Sequence, residues 1–180
     1  MIRRRVGLLA ALACAALLLS GCDGSPRPAP STSTPLFADE AEAFAAAEAT
    51  YRAYVDALNA VDLSDPATFE PVFALTTGEA NAEAKESFSR MHADRWQVKG
   101  ESTIDDVLDI KATIAGVPMV ALAACLNVSD VTVTDSQGNS VVEDNRPDVQ
   151  SIRVELIGDV DSETGMLVSA LDGYEGSECG

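Results

Sequence analysis

The sequence predicts an α+β fold in which N-terminal helices pack on one face of a curved antiparallel sheet. Apolar residues recur at steps of three and four from about residue 39 to residue 93, which is the period of an α-helix. After Trp96 the period changes to two, and the stretch from 119 to 126 is apolar throughout, as in a strand covered on both faces. Helices followed by strands and turns are typical of α+β domains.

The first helix is predicted over residues 39–61. Asp39 can cap its start, and Glu42 follows three residues later, which is an Asp version of the capping box. The apolar positions that define one face are Phe44, Ala47, Tyr51, Val55, Leu58 and Val61.

The segment "SDPATFEPVFAL" predicts a short second helix. Asp65 can cap it, and Pro66 stands at the first helical position, where the missing N–H has no cost. Pro71 lies inside the same segment, so we expect the helix to be short or broken.

A third helix is predicted from about residue 78 to residue 93. Thr76 and Glu79 match the capping box. The apolar face consists of Ala80, Ala84, Phe88 and Met91.

The second half of the chain predicts an antiparallel meander, with turns at "DSQGNS" and "GDVDSETG". A strand starts at Trp96, and another has Leu108, Ile110, Ala112 and Ile114 alternating with polar residues. The covered strand from Met119 is expected to continue through Val128, Val131 and Val133. The last two strands run over residues 152–156 and 166–171.

The N-terminal segment has the parts of a bacterial secretory signal. Arg3, Arg4 and Arg5 form a basic region, and residues 6–19 form an uncharged apolar run shorter than the roughly 20 residues that span a membrane. The following Leu19-Ser20-Gly21-Cys22 resembles the lipobox of bacterial lipoproteins. The resemblance implies that the cysteine thiol receives a diacylglyceryl group and that the chain is cleaved before it. An ordinary secretory signal with a chance cysteine is the alternative.

This resemblance divides the chain into three parts. We expect a signal peptide over residues 1–21, a lipidated cysteine with a tether over residues 22–36, and a folded domain over residues 37–180. The tether is rich in Pro, Ser and Thr, a composition that buries too little apolar surface to fold. Two acyl chains on Cys22 give a stable anchor where one is marginal. The expected location is the extracytoplasmic face of the bacterial cell membrane, with the lipid anchor as the contact to the bilayer.

The chain is strongly acidic, with 29 Asp and Glu residues, 12 Lys and Arg residues and a formal net charge of −17. Removal of the signal takes away three of the arginines and makes the charge more negative. This balance disfavours nucleic acid and anionic lipid surfaces as partners. It is typical of a solvated surface and does not by itself indicate a cation site.

Two of the four cysteines are available for a disulfide in the mature domain. Cys14 leaves with the signal and Cys22 carries lipid, so Cys125 and Cys179 remain. An even pair in an oxidising compartment favours a disulfide, which would hold the C-terminus to a strand. Two unpaired thiols are the alternative. The sequence indicates no metal site, because it has one histidine and no Cys-x-x-Cys motif.

The predicted element order, the segment "AEATYRAYVDALNAVD" and the strand onset at Trp96 resemble the nuclear-transport-factor-2-like superfamily, also called SnoaL-like, over residues 38–172. The resemblance implies that one long and two shorter helices lie in the concave side of a bent sheet and form a cone. The chain is also similar to small lipoproteins of high-GC bacteria that carry such a domain. The match contains no catalytic signature, and a fold does not imply a function.

A pocket in such a cone would involve Tyr51, Tyr54 and Trp96. Related ketosteroid-isomerase-like enzymes place a carboxylate base and a tyrosine or second acid there, and a tyrosine can donate to an oxyanion. Tyr51 lies on the apolar stripe and fits the core better, Tyr54 lies at the edge of the stripe, and Asp56 fits a solvated surface. No apolar strand position carries an acid, so we assign no catalytic residue and expect no cofactor.

Two further motifs have structural explanations. His92 lies near the end of the third helix, where a cation suits the helix dipole. The loop "DVDSETG" has its glycine at the seventh position and Ala170 at the twelfth, so it fits a hairpin turn better than a calcium loop.

The sequence therefore predicts a membrane-anchored extracytoplasmic lipoprotein whose domain is a non-enzymatic binding or adaptor module. Its partner would be an envelope protein or a small-molecule ligand. An extracytoplasmic isomerase-like or hydrolase-like enzyme that uses the cone is the alternative. The resemblance also raises a homodimer through the exposed sheet face, although Arg153 and Glu155 suggest that this face is polar.

Overall fold

The computed structural model describes residues 35–175 and Cys179. The predicted signal peptide, Cys22 and nearly all of the tether lie outside the described residues. Of the predicted tether, Pro35 is exposed and Leu36 is partly buried against the core, and Phe37 beside it is buried.

Three α-helices and one 3₁₀ helix precede the strands. They are α1 (Glu40–Asn59), the 3₁₀ helix (Pro66–Phe69), α2 (Glu70–Ala74) and α3 (Gly78–Ala93). The strands are β1 (Gln97–Lys99), β2 (Thr103–Thr113), β3 (Met119–Asn127), β4 (Thr132–Thr134), β5 (Val149–Gly158) and β6 (Met166–Gly173).

The strands form two antiparallel sheets. The larger sheet has the order β2-β3-β5-β6, and the smaller is a ribbon of β1 and β4. Helix α1 lies against β2, β3 and β6, and α3 lies against β6. The predicted α+β class, with helices packed on antiparallel strands, is confirmed.

The caps of the first two helical segments follow the sequence. The Asp39 carboxylate accepts from the Glu42 N–H at 2.9 Å, and the Glu42 carboxylate accepts from the Ala38 N–H at 2.6 Å. The return bond thus reaches one residue before the cap. Asp65 accepts from the Ala67 N–H at 3.0 Å, and the segment divides into a 3₁₀ turn and a short α-helix, as its two prolines predict.

The predicted capping box of α3 is wrong. The residue at the cap is Thr77, whose side chain makes no capping bond. Thr76 is buried, and its hydroxyl donates to the Val72 carbonyl at 2.9 Å and accepts from the Asn81 side chain at 2.9 Å. The backbone of Thr76 also forms a β-bridge with Val168 of β6, so this residue lies before the helix and its hydroxyl is not at the cap.

The expected alternation along β2 is also wrong in part. Leu108 and Ile110 are exposed, whereas Ile104 and Val107 pack against the core. Two register irregularities, between 104 and 106 and between 109 and 111, cause the difference. Each adds a residue to β2 and so exchanges the two sides of the strand.

The covered strand ends earlier than predicted. β3 stops at Asn127, and the chain turns before β4 joins β1 in the smaller sheet. Arg146 fixes this turn because its guanidinium donates to the Val128 and Val131 carbonyls, both at 2.9 Å. The predicted meander is therefore interrupted once. Its central part is as expected, since β3 lies between β2 and β5 and is buried on both faces from 120 to 125.

Candidate functional site

Side chains fill the helix-facing side of the larger sheet. Tyr51 is 1% exposed and Phe88 is 8% exposed, and Phe44 and Trp96 pack against the same core. The sheet side of this core consists of Val120, Leu122, Ala124, Val154, Leu156, Met166 and Val168. The arrangement is that of a packed interior.

The two predicted pocket tyrosines lie side by side within this interior. Their ring centroids are 6.2 Å apart with an interplanar angle of 22°. Burial raises the pKa of Tyr54 to about 12, with a smaller contribution from the negative charge of Glu83. Burial also raises the pKa of Tyr51, and Tyr54 adds to the effect. Within the described residues neither hydroxyl forms a hydrogen bond, and both groups stay neutral at physiological pH.

Trp96, the third predicted pocket residue, borders a different feature. It lines a surface cleft between the end of α1 and β1, together with Val61, Leu63 and Val98. The two tyrosines do not line this cleft. The structure therefore does not bring the three predicted pocket residues together around one cavity.

A partly enclosed cavity lies between the C-terminal ends of α1 and α3 and the β1–β4 ribbon. Its volume is about 170 Å³. Its apolar lining residues are Leu58, Val61, Leu63, Phe88, Met91, Val98 and Val131. Asn59, Gly100 and Ser102 complete the wall. No lining residue carries a titratable side chain, so the cavity offers no acid or base for catalysis.

Backbone contacts hold the polar wall of this cavity in place. The Asn59 side chain donates to the Ser102 carbonyl and accepts from the Ser102 N–H, each at 2.9 Å. Its amide is therefore bonded on both sides, which fixes its orientation in the wall. Gly100 has φ +86°, and a Cβ there would lie 1.9 Å from the Asp130 carbonyl oxygen. Only glycine allows this approach.

His92 and the hairpin loop "DVDSETG" both make contacts that stabilise the fold. His92 Nδ1 lies 2.7 Å from the Leu63 carbonyl oxygen, and its ring meets Phe69 edge-on. In the hairpin loop the Asp159 carboxylate accepts from the N–H groups of Asp161 and Ser162. Across residues 35–175 and Cys179, no three His, Cys, Asp or Glu side chains are grouped so that they could hold a metal ion.

The outer side of the larger sheet combines small, charged and apolar residues. Ala121 and Ala123 of β3 are buried between their neighbours on β2 and β5. Arg153 and Glu155 of β5 stand opposite these alanines and form an ion pair at 3.0 Å. The polarity that the sequence suggests for this face is thus present on β5.

Exposed apolar side chains concentrate on the β2–β3 hairpin. Among the described residues seven large apolar side chains are exposed, and four of them belong to this hairpin. These four, here called the hairpin patch, are Leu108, Ile110, Val117 and Met119. A regular alternation along β2 does not reveal the patch, because it places Leu108 and Ile110 on the core side. The spacing of three between Ile104 and Val107 was the available signal for a bulge.

Cys125 and Cys179 form a disulfide, with their Cα atoms 5.4 Å apart. Cys125 lies on β3, the central strand next to β2. The bond therefore holds the C-terminal end of the chain to the middle of the larger sheet, as the sequence analysis expects.

No family model matches the chain, and no curated protein matches it. No helix in the described part of the chain is long and apolar enough to cross a membrane.

Three solved structures are similar to the chain at low identity. The intermembrane space region of the chloroplast protein ARC6 is 11% identical, with 71% of this chain and 93% of that chain covered and a TM-score of 0.48. A periplasmic fragment of TraM is 10% identical, with coverages of 75% and 96% and a TM-score of 0.45. Agrobacterium tumefaciens VirB8 is 11% identical, with coverages of 72% and 90% and a TM-score of 0.38. All three scores are below 0.5, and the α+β class rests on the strands and helices themselves.

Proposed function

We propose that the protein is a lipid-anchored extracytoplasmic adaptor whose SnoaL-like domain binds an envelope protein through the outside of its sheet. One observation carries the proposal: the helix-facing side is filled by side chains, while Leu108, Ile110 and Met119 are exposed on the β2–β3 hairpin. An enzyme that used the helix-facing side would need an open pocket with converging polar groups. Exposed apolar residues grouped on one element instead favour a protein contact.

The lipid anchor in this proposal is supported by the lipobox at residues 19–22 and by the composition of the tether. A precursor with Cys22→Ser should not incorporate a fatty-acid probe and should stay uncleaved. Normal labelling of that precursor would contradict the anchor and leave an ordinary secreted protein. A Cys14→Ser precursor is the matched control, because Cys14 lies within the predicted signal and should not affect labelling.

The adaptor function is tested by crosslinking the full lipidated protein in its own envelope. The variants Leu108→Lys and Met119→Lys place a charge in the hairpin patch and should reduce recovery of a specific partner. Val160→Lys is the matched control, since Val160 is the most exposed large apolar residue among those described and lies in the β5–β6 turn. Equal loss in all three variants, or loss in none, would contradict binding through the hairpin patch.

The cavity of about 170 Å³ favours a second candidate function, the binding of a small apolar molecule. Ligand pockets usually measure roughly 300–1,000 Å³, so this cavity suits only a small ligand. Mass spectrometry of the domain extracted from its native envelope tests the idea. A molecule that is retained by the wild type and lost in Met91→Trp, which fills the cavity, would support it.

A further inference from the structure

The larger sheet has two edge strands, β2 and β6, and other parts of the fold cover only the edge of β6. The edge of β6 is covered by the connection between α2 and α3. The Thr77 N–H donates to the Val168 carbonyl at 2.8 Å, and the Val168 N–H donates to the Leu75 carbonyl at 2.9 Å. At the other edge, no described residue outside β3 makes a backbone hydrogen bond to β2. One edge is therefore closed and the other is open.

The open edge is long and accessible. β2 has 11 residues, none of them buried, and eight of them are exposed. Edge strands are usually short or covered, because unpaired N–H and C=O groups accept further strands. The two bulges and the charged residues of β2 oppose indiscriminate pairing. They leave a regular stretch from Asp106 to Asp109 that includes the exposed Leu108, and within it the Val107 N–H is already bonded to the Asp106 carboxylate at 2.9 Å.

The charge of this edge selects the kind of segment that can pair with it. β2 carries Asp105, Asp106 and Asp109 but only one cation, Lys111. None of these carboxylates is in either ion pair found among the described residues. An acidic incoming strand would be repelled, and a strand with lysine or arginine opposite the aspartates would be attracted.

We propose that β2 accepts an extended segment of the partner protein as a fifth strand, in which basic residues alternate with apolar ones. The backbone of the segment would bond to the open side of β2. Its apolar side chains would contact Leu108 on the outer face, and its basic side chains would meet Asp109, which lies on the other face opposite Leu122. The inference rests on the proposed adaptor function and names the chemistry of its partner.

A labelled octapeptide of alternating lysine and valine is the probe, measured by fluorescence anisotropy against the full lipidated protein in detergent. We expect binding that slows hydrogen exchange of β2 amides and leaves β6 amides unchanged. The same peptide with every internal amide N-methylated keeps its charges but cannot pair, and should bind about tenfold more weakly or worse. Equal binding of the two peptides would overturn the proposal, because it would show attraction by charge alone.

A double variant tests the selection by charge. Asp106→Asn with Asp109→Asn should weaken peptide binding about tenfold. Asp144→Asn, at an exposed loop residue, is the matched control and should leave binding unchanged. Equal affinity of the double variant and the wild type would overturn the proposal.

The partner recovered from the envelope separates this inference from the proposed function. If crosslinking is lost in Leu108→Lys and also in the double aspartate variant, both stand. If crosslinking is lost in Leu108→Lys but persists in the double variant, the adaptor function stands and strand addition at β2 fails. If both variants capture the partner like the wild type, the adaptor surface itself is wrong.

Discussion

The contribution of the Cys125–Cys179 disulfide to stability can be worked out from the structure. We choose Cys179→Ser as the perturbation, because Cys125 is buried in the central strand and a change there would also disturb the core. The variant removes the crosslink and leaves the β3 side chain in place. Its effect should therefore be the release of the C-terminal end in the folded state and of a large loop in the unfolded state.

The magnitude follows from the size of the loop. The two cysteines are 54 residues apart in sequence. In the chain-entropy model a crosslink over such a loop stabilises the protein by about 4 kcal/mol, because the unfolded chain loses conformational freedom. A typical domain has only about 5–15 kcal/mol of stability, so this loss should be easy to measure.

Urea unfolding of the wild type and of Cys179→Ser, followed by circular dichroism, is the assay. We expect a loss of about 3–4 kcal/mol and a larger m-value, because an unfolded chain without the crosslink exposes more surface. Unfolding in the presence of dithiothreitol provides the control. The reductant should lower the stability of the wild type to that of the variant and should not affect the variant further.

A loss below about 1 kcal/mol with an unchanged m-value would refute this reasoning. It would mean that the crosslink does not restrict the unfolded chain. A large loss that dithiothreitol does not reproduce in the wild type would refute it in another way, since the serine itself would then be the cause.

Three further outcomes are expected from urea unfolding experiments. Between pH 10 and 12 the unfolded state releases the Tyr54 proton and the folded state keeps it, so Tyr54 should contribute a fall in stability of about 2–3 kcal/mol over this range. Tyr51, whose pKa burial also raises, adds to the fall of the wild type. Tyr54→Phe should remove the Tyr54 contribution, and an unchanged fall would contradict the role of burial. Gly100→Ala should lower the stability by more than about 2 kcal/mol, because its Cβ would collide with Asp130. Gly116→Ala, at φ +78° with open space around it, should lower the stability less. Equal losses would contradict the collision, because backbone strain alone would then explain both. Asp39→Ala should lower the stability by about 1 kcal/mol, because the helix cap is lost. Asp39→Asn should retain most of the stability, because asparagine can also cap the helix. Equal losses in the two variants would contradict the role of the cap.

The helices were predictable because their signals are local. The positions of Asp39, Pro66 and Pro71 and the spacing of apolar residues act within one or two turns of chain, and the structure follows them closely. The exception, Thr76, shows the limit of such signals. Its hydroxyl donates to the Val72 carbonyl, and its backbone bridges to Val168, more than 90 residues away in sequence. The capping pattern carries no information about that bridge.

Five strands were predictable in approximate position, but β4 was expected to be a continuation of β3 and is a separate strand. The end of β3 depends on Arg146, which bonds to the turn from a distant loop, and the bulges of β2 depend on pairing with β3. Because a bulge reverses which residues face the core, the hairpin patch could not be identified from alternation alone. The candidate pocket depends on packing in the same way, since Tyr51 and Trp96 pack against one core and only Trp96 lines the cleft beside β1.

The ribbon of β1 and β4 has a consequence for the order of folding. Lys99 pairs with Thr132, and the chain between them contains the whole β2–β3 hairpin, in which Thr103 pairs with Asn127. Once the hairpin has formed, only residues 100–102 and 128–131 separate the ribbon from it, so the entropic cost of closing the ribbon becomes small. Before the hairpin forms, that cost is the full cost of a long loop. The ribbon should therefore assemble after the hairpin and open before it, and the cavity behind the ribbon forms late for the same reason.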